Sequence, residues 1–131
     1  MGHEKFVDGL KRDKARGTLA PHQIILLITL YKLYSESKSN TVEIADLALA
    51  FGFTWKEHQN SFKTKNCNLG MPLKVFVNRD YLKIEIIEDI IDFRNKTELK
   101  SKINNIKINQ VLLNLLIDPE FSIYLKTRIS S

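Results

Sequence analysis

The stretch from Pro21 to Tyr34 constrains this chain more than any other. Ile24, Ile25, Leu27, Ile28, Leu30, Tyr31, Leu33 and Tyr34 fill all sides of a helix, and Pro21 stands at its first position, where a missing N–H costs nothing. A helix that is apolar all round must be surrounded by the rest of the chain. It is not a membrane span, because the longest uncharged apolar stretch, Ile24 to Tyr31, falls far short of the roughly 20 residues a bilayer requires. The expected architecture is therefore one small core wrapped around this element. A length of 131 residues suits a single domain, and 44% hydrophobic with 27% charged residues is an ordinary balance for a globular chain.

The single cysteine, Cys67, excludes an internal disulfide framework and a multi-cysteine zinc site. No secretory apolar region lies near the N-terminus, and Phe6 occupies the position where a myristoylation signal needs Ser or Thr. A soluble, cytoplasmic protein with no membrane association is expected.

Around the central helix the pattern changes repeatedly. Residues 3–15 suggest a short polar helix, broken at Gly17-Thr18. Thr41 and Val42 suggest a brief extended segment. Ile44, Leu47, Ala48 and Phe51 share one helical face, with Gly52 as the expected stop and a separate short helix beginning at Phe53-Thr54-Trp55. Leu73, Val75 and Val77 alternate with Lys74, Phe76 and Asn78, the period of a strand. Asn78-Arg79-Asp80 and the apolar run Tyr81 to Ile87 then complete an expected hairpin. From Thr97, the expected cap, Ile103, Ile106, Val111, Leu112, Leu115 and Leu116 read as helical with a break near Lys107. Asp118 and Pro119 open a final short helix.

The fold class expected is mainly α with a small β-hairpin, an α+β domain of the winged helix-turn-helix type, with Lys74 to Lys83 as its wing. Its organisation would be a basic arm or helix over residues 1–16, a core over 17–93, and C-terminal helices over 94–131.

The net charge is +5, and its distribution matters more than its size. Residues 1–16 carry Lys5, Lys11, Arg12, Lys14 and Arg16 against Glu4, Asp8 and Asp13. Residues 53–83 carry Lys56, Lys63, Lys65, Lys74, Arg79 and Lys83 against only Glu57 and Asp80, and an acidic stretch with Glu85, Glu88, Asp89 and Asp92 follows. Two basic blocks flanking a core helix either meet as a phosphate-attracting surface or remain separate solvated faces.

Catalytic signatures are sparse. His3, His22 and His58 show no metal-ligand spacing, Cys67 has no base beside it, and neither glycine-rich phosphate motif occurs. Glu98-Leu99-Lys100 spells the second half of a metal-dependent nuclease signature, with Asp80, Asp89 or Asp92 upstream. It also reads as the solvated start of a helix. No catalytic residue, metal site or cofactor is assigned.

Two short segments are more informative. Leu19-Ala20-Pro21-His22-Gln23 heads the central helix, where unpaired N–H groups and the helix dipole attract anions and His22 and Gln23 add donors. The same residues also suit simple capping and packing. Asn68-Leu69-Gly70-Met71-Pro72-Leu73 brings apolar side chains straight out of a polar loop, either to plug the core or to wall a basic surface.

In this order, Pro21-His22 opening an Ile/Leu-rich helix, Asn40 to Leu47 with Phe51 and Trp55, Gly70-Met71-Pro72-Leu73, and Val77 to Ile84 resemble a known pattern. The chain is similar, over roughly residues 16–85, to the sulfur-binding domain of phosphorothioate-dependent restriction endonucleases, usually fused to an HNH nuclease domain. The resemblance implies binding of double-stranded DNA in which sulfur replaces a non-bridging phosphate oxygen. It implies a sulfur pocket at Pro72 with Met71 and Leu73 as neighbours, His22 on a phosphate, and Gln23 beside it.

Arg12, Lys14, Arg16, Lys65, Lys74 and Arg79 would hold the surrounding backbone. Sulfur is larger, softer and less hydrated than oxygen, so an apolar wall favours it. The chain departs from the family pattern at Gln23, usually Lys or Arg, and at Met71, often aromatic or His. The first change removes a charge from the backbone grip and the second reshapes the pocket.

No HNH motif is present. The expectation is a non-catalytic reader in modification-dependent restriction, with any cleavage in a partner domain or chain. The rival expectations are a winged-helix regulator reading unmodified DNA through Lys56 to Phe62, a fragment of a restriction endonuclease, a small Mg²⁺ nuclease using Glu98 and Lys100, and a protein-interaction domain built on the terminal helices.

Overall fold

A computed structural model describes residues 3–10, 14–15 and 18–129. Its centre is helix α2 (His22–Ser37), whose residues Gln23 to Leu30 are all buried, as its all-round apolar pattern demands. Helix α1 (His3–Asp8) precedes it, followed by the paired short strands β1 (Lys14–Ala15) and β2 (Thr18–Leu19). Lys38 ends α2 in the left-handed conformation, its N–H bonded to the Tyr34 carbonyl.

The strand β3 (Thr41–Glu43) leads into α3 (Ile44–His58), and α4 (Gly70–Asn78) into β4 (Leu82–Ile86). Then come α5 (Lys96–Lys102), β5 (Ile103–Ile108), α6 (Gln110–Leu116) and α7 (Pro119–Arg128). Strands β3, β5 and β4 form an antiparallel sheet in that spatial order, with Ile106 of β5 opposite both Val42 and Ile84. Helix α2 packs against α3, α4, α6 and α7, while α1 joins α7 through Phe6 and Phe121, both buried. The domain is thus mainly helical with a small antiparallel sheet, the α+β class expected.

Several expectations are corrected. Residues 73–77 are helical, so the hairpin from Lys74 to Lys83 does not form. Leu73 and Phe76, three apart, are both wholly buried, and Pro72 sits in the first turn, where a missing N–H is tolerated. Packing of that face overrides the strand preference of Val75 and Val77. The tight connection at Asn78-Arg79-Asp80 stands, with Asp80 at a φ of 60°, but it joins a helix to a strand.

Helix α3 runs through Gly52, because Phe51 and Trp55, one turn apart, both bury, and their packing outweighs the glycine penalty of about 1 kcal/mol. Residues 103–108 are a strand rather than part of a C-terminal helix. The register skips Asn104 opposite the Glu85–Ile86 step, and that bulge spaces buried Ile103 and Ile106 three apart. Asn95, not Thr97, caps α5, its side chain accepting the Glu98 N–H. Asp118 caps α7 as expected. Among the described residues no helix is long and apolar enough to cross a membrane.

Candidate nucleic-acid interface

Residues 59–69 link α3 to α4, and three polar side chains hold this segment and its neighbour in place. His22, at the head of α2, donates from Nε2 to the Asn66 carbonyl at 2.6 Å. Its ring lies 4.9 Å from that of Trp55, which meets Phe62 edge-on at 4.7 Å. Burial lowers the His22 pKa, while the bond to Asn66 pulls the other way. The neutral ring therefore carries its proton on Nε2 and pins the loop to the helix.

Asn68 works in both directions. Its Oδ1 accepts the Met71 N–H in the first turn of α4 at 3.0 Å, and its Nδ2 donates to the Arg94 carbonyl at 3.3 Å. Glu98 gathers the 87–95 connection: its carboxylate accepts the Ile91 N–H, the Asp92 N–H at 3.2 Å and the Lys102 ammonium at 3.0 Å. These donors hold it below the usual carboxylate range, the Ile91 N–H first among them. Gly70 lets the two segments touch, for a Cβ there would stand 1.5 Å from the Phe93 carbonyl oxygen.

This scaffold sets two features side by side. On the outer face of α4, Met71, Lys74 and Asn78 are exposed at helical spacing. Arg94 Nε approaches Met71 Sδ at 3.5 Å, and Lys74 Nζ stands 5.8 Å from the Phe93 ring centre. Next to them opens a cavity of about 50 Å³ floored by Ile44, Ala48, Leu69 and Leu99. Cys67, Asn68 and Gly70 wall it, Arg94, Lys96 and Lys100 rim it, and no carboxylate lines it. Burial pushes the Cys67 thiol up, against the pull of Lys96 and Lys56, so it is no activated nucleophile. Among the described residues no three His, Cys, Asp or Glu side chains group as metal ligands.

The sequence-derived site residues fall unevenly on this surface. Lys65 and Lys74 are exposed, and Lys74 stands beside Met71. Of the expected sulfur-pocket residues, Met71 reaches the surface at 38% exposure, whereas Pro72 is buried and Leu73 wholly so, supporting the start of α4 from within. Gln23 is buried, His22 is occupied with Asn66, and half-buried Arg79 sits at the far end of α4 from Met71. Arg12 and Arg16 lie outside the described residues, and Lys14 is described only as part of β1.

Sequence reasoning missed Arg94, Lys96 and Lys100 as a group, together with Asn68 and Phe93. Glu98-Leu99-Lys100 alone reads in the sequence as the solvated start of a helix, and nothing there ties Arg94 and Lys96 to it. Glu98 and Lys100, weighed as nuclease residues, serve apart: Glu98 ties the loop and Lys100 rims the cavity. The chain matches no known protein-family model and no curated protein.

Proposed function

We propose that this chain is a non-catalytic DNA-binding module that recognises a phosphorothioate-modified backbone at the α4–α5 surface. The observation that carries the reading is the contact of Arg94 with Met71 beside an apolar cavity rimmed only by cations. A thioether and an apolar floor suit a large, weakly hydrated sulfur better than a strongly hydrated phosphate oxygen. Lys65, Lys74, Arg94, Lys96 and Lys100 attract the flanking phosphates, and their contribution falls with salt as counterions are released. Pro72 and Leu73 act through the position they give Met71 and Gly70. His22 holds the loop that carries Lys65, Asn66 and Cys67.

A winged-helix regulator of unmodified DNA is the second reading, supported by the order α2, β3, α3, α4, β4, α5, β5, in which α5 interrupts the last two strands, and by the sheet order β3-β5-β4. On that reading α4 enters a groove and the 87–102 connection serves as the wing, in place of Lys74 to Lys83.

The deciding experiment is a salt-controlled competition between two duplexes identical except for one Rp phosphorothioate linkage. The sulfur duplex is expected to bind better, and the preference should persist at salt concentrations that weaken both. Met71→Ser, at an exposed position, should remove the preference and leave general binding. Equal affinity for both duplexes overturns sulfur recognition in favour of the second reading, and failure to bind either overturns both.

A further inference from the structure

On the opposite side of α3 lies a second concavity, built from the same kinds of apolar residue but with the opposite charge. It is an open groove of about 1000 Å³ between α2 and α3, floored by Leu33, Val42 and Ala50. Leu49 and Phe53, one turn apart on α3, project at its side with 63% and 59% of their surface exposed. Solvent-facing Leu and Phe at adjacent turns of a helix form an apolar stripe of the kind that marks an interaction site.

Glu36, Glu43, Asp46 and Glu57 rim this groove. Among the described residues lining it Lys32 is the sole cation, and it is already bonded to Glu57 at 2.6 Å. A chain that carries +5 overall thus concentrates unneutralised acid around one of its most exposed apolar patches.

We propose that this groove is a docking site for a basic amphipathic helix of a partner protein. The partner's apolar face, at i, i+3 or i+4 spacing, would cover Leu49 and Phe53, and its flanking Lys or Arg residues would meet Glu36, Glu43 and Asp46. Nucleic acid is excluded as occupant, because its phosphates would face these carboxylates. A second copy in a two-fold contact would bring the same acids against each other, which disfavours self-association. Strand addition is also disfavoured, since β3 offers an edge of only three residues. This inference stands independently of the DNA reading.

The test is fluorescence anisotropy with a labelled synthetic helix of about five turns bearing Leu on one face and Lys on the other. Its counterpart with Glu in place of Lys serves as control. The basic helix is expected to bind in the micromolar range and the acidic one not at all. Phe53→Ser, at an exposed position and with unchanged circular dichroism, should weaken binding at least about tenfold. Glu43→Lys with Asp46→Lys should do the same at low salt and less at high salt. Absence of binding by the basic helix overturns the proposal, as does binding indifferent to Phe53→Ser or shared by the acidic helix. So does a concentration-dependent dimer that Phe53→Ser dissolves in sedimentation, which would assign the groove to a second copy.

Discussion

Helix α3 separates two surfaces that each have an apolar floor and that differ in the sign of their rims and in size. Toward α4 and α5 it gives Ile44 and Ala48 to a small cavity ringed by Arg94, Lys96 and Lys100. Toward α2 it gives Leu49, Ala50 and Phe53 to an open groove rimmed by Glu36, Glu43, Asp46 and the Lys32–Glu57 pair. The apolar floors alone would not distinguish a nucleic acid from a protein segment. The rims do, since a polyanion gains at one and is repelled at the other. Net charge therefore says little about the partners of this chain. Size adds to the distinction, for the cavity takes one atom or group and the groove takes several side chains.

The strongest way to break this comparison is at the close approach that creates the cavity. Gly70→Ala would drive a Cβ into the backbone carbonyl of Phe93, which no side-chain rotation relieves. A loss of about 3 kcal/mol or more is expected, read from the urea midpoint, with DNA binding lost as the 87–95 connection lifts. Gly52, on α3, is the internal control, for a Cβ there meets nothing within 4 Å. Gly52→Ala should stabilise the protein by about 0.5–1 kcal/mol through helix propensity alone and leave DNA binding unchanged.

The contrast between these glycines also marks what the sequence could reveal. Neither chemical identity nor spacing distinguishes Gly70 from Gly52. Only the fold shows that one faces a backbone oxygen and the other open space. Where a pattern is local and complete it was legible: the all-apolar α2, the Asp118-Pro119 start of α7, and the brief β3 all follow from adjacent residues. Where tertiary packing chooses between periods, reading failed. In α4 the buried pair Leu73 and Phe76 decides against the Val75–Val77 alternation, and in β5 a bulge at Asn104 imitates helical spacing.

The candidate site divides in the same way. Met71 and Lys74 were visible as an apolar and basic segment, but the Arg94–Lys100 rim comes from a distant element and needed the Asn68 and Glu98 tethers to be seen.

A second perturbation sharpens the comparison by acting on charge while sparing the core. Arg94→Glu with Lys96→Glu, both at exposed positions, should weaken binding of either duplex about tenfold or more at low salt and flatten its salt dependence. The thermal midpoint should move little, because exposed charges contribute little to stability. Binding of the basic helix at the α2–α3 groove should be unaffected. Loss of that binding as well would show that the two rims act through one common field.

The smallest effect expected concerns His22, and it separates two roles on the same side chain. Burial holds its pKa below the ordinary value of 6.5, so the folded state prefers the neutral ring. As pH falls through 6.5 the unfolded chain takes up the proton first. Stability is then expected to decline modestly toward pH 5.5 and to be flat above neutrality. Burial lowers the pKa of His58 as well, which adds a decline of the same sign, so His58→Gln is the necessary background for the measurement.

If His22 also faces a phosphate, bound DNA stabilises the imidazolium, and affinity should rise over the same interval in which stability falls. Replacing His22 with Asn should then abolish the pH dependence of affinity. If His22 acts only by holding the Asn66 carbonyl, affinity should be indifferent to pH. The substitution should instead speed amide hydrogen exchange across residues 62–67, since the segment loses its tie to α2.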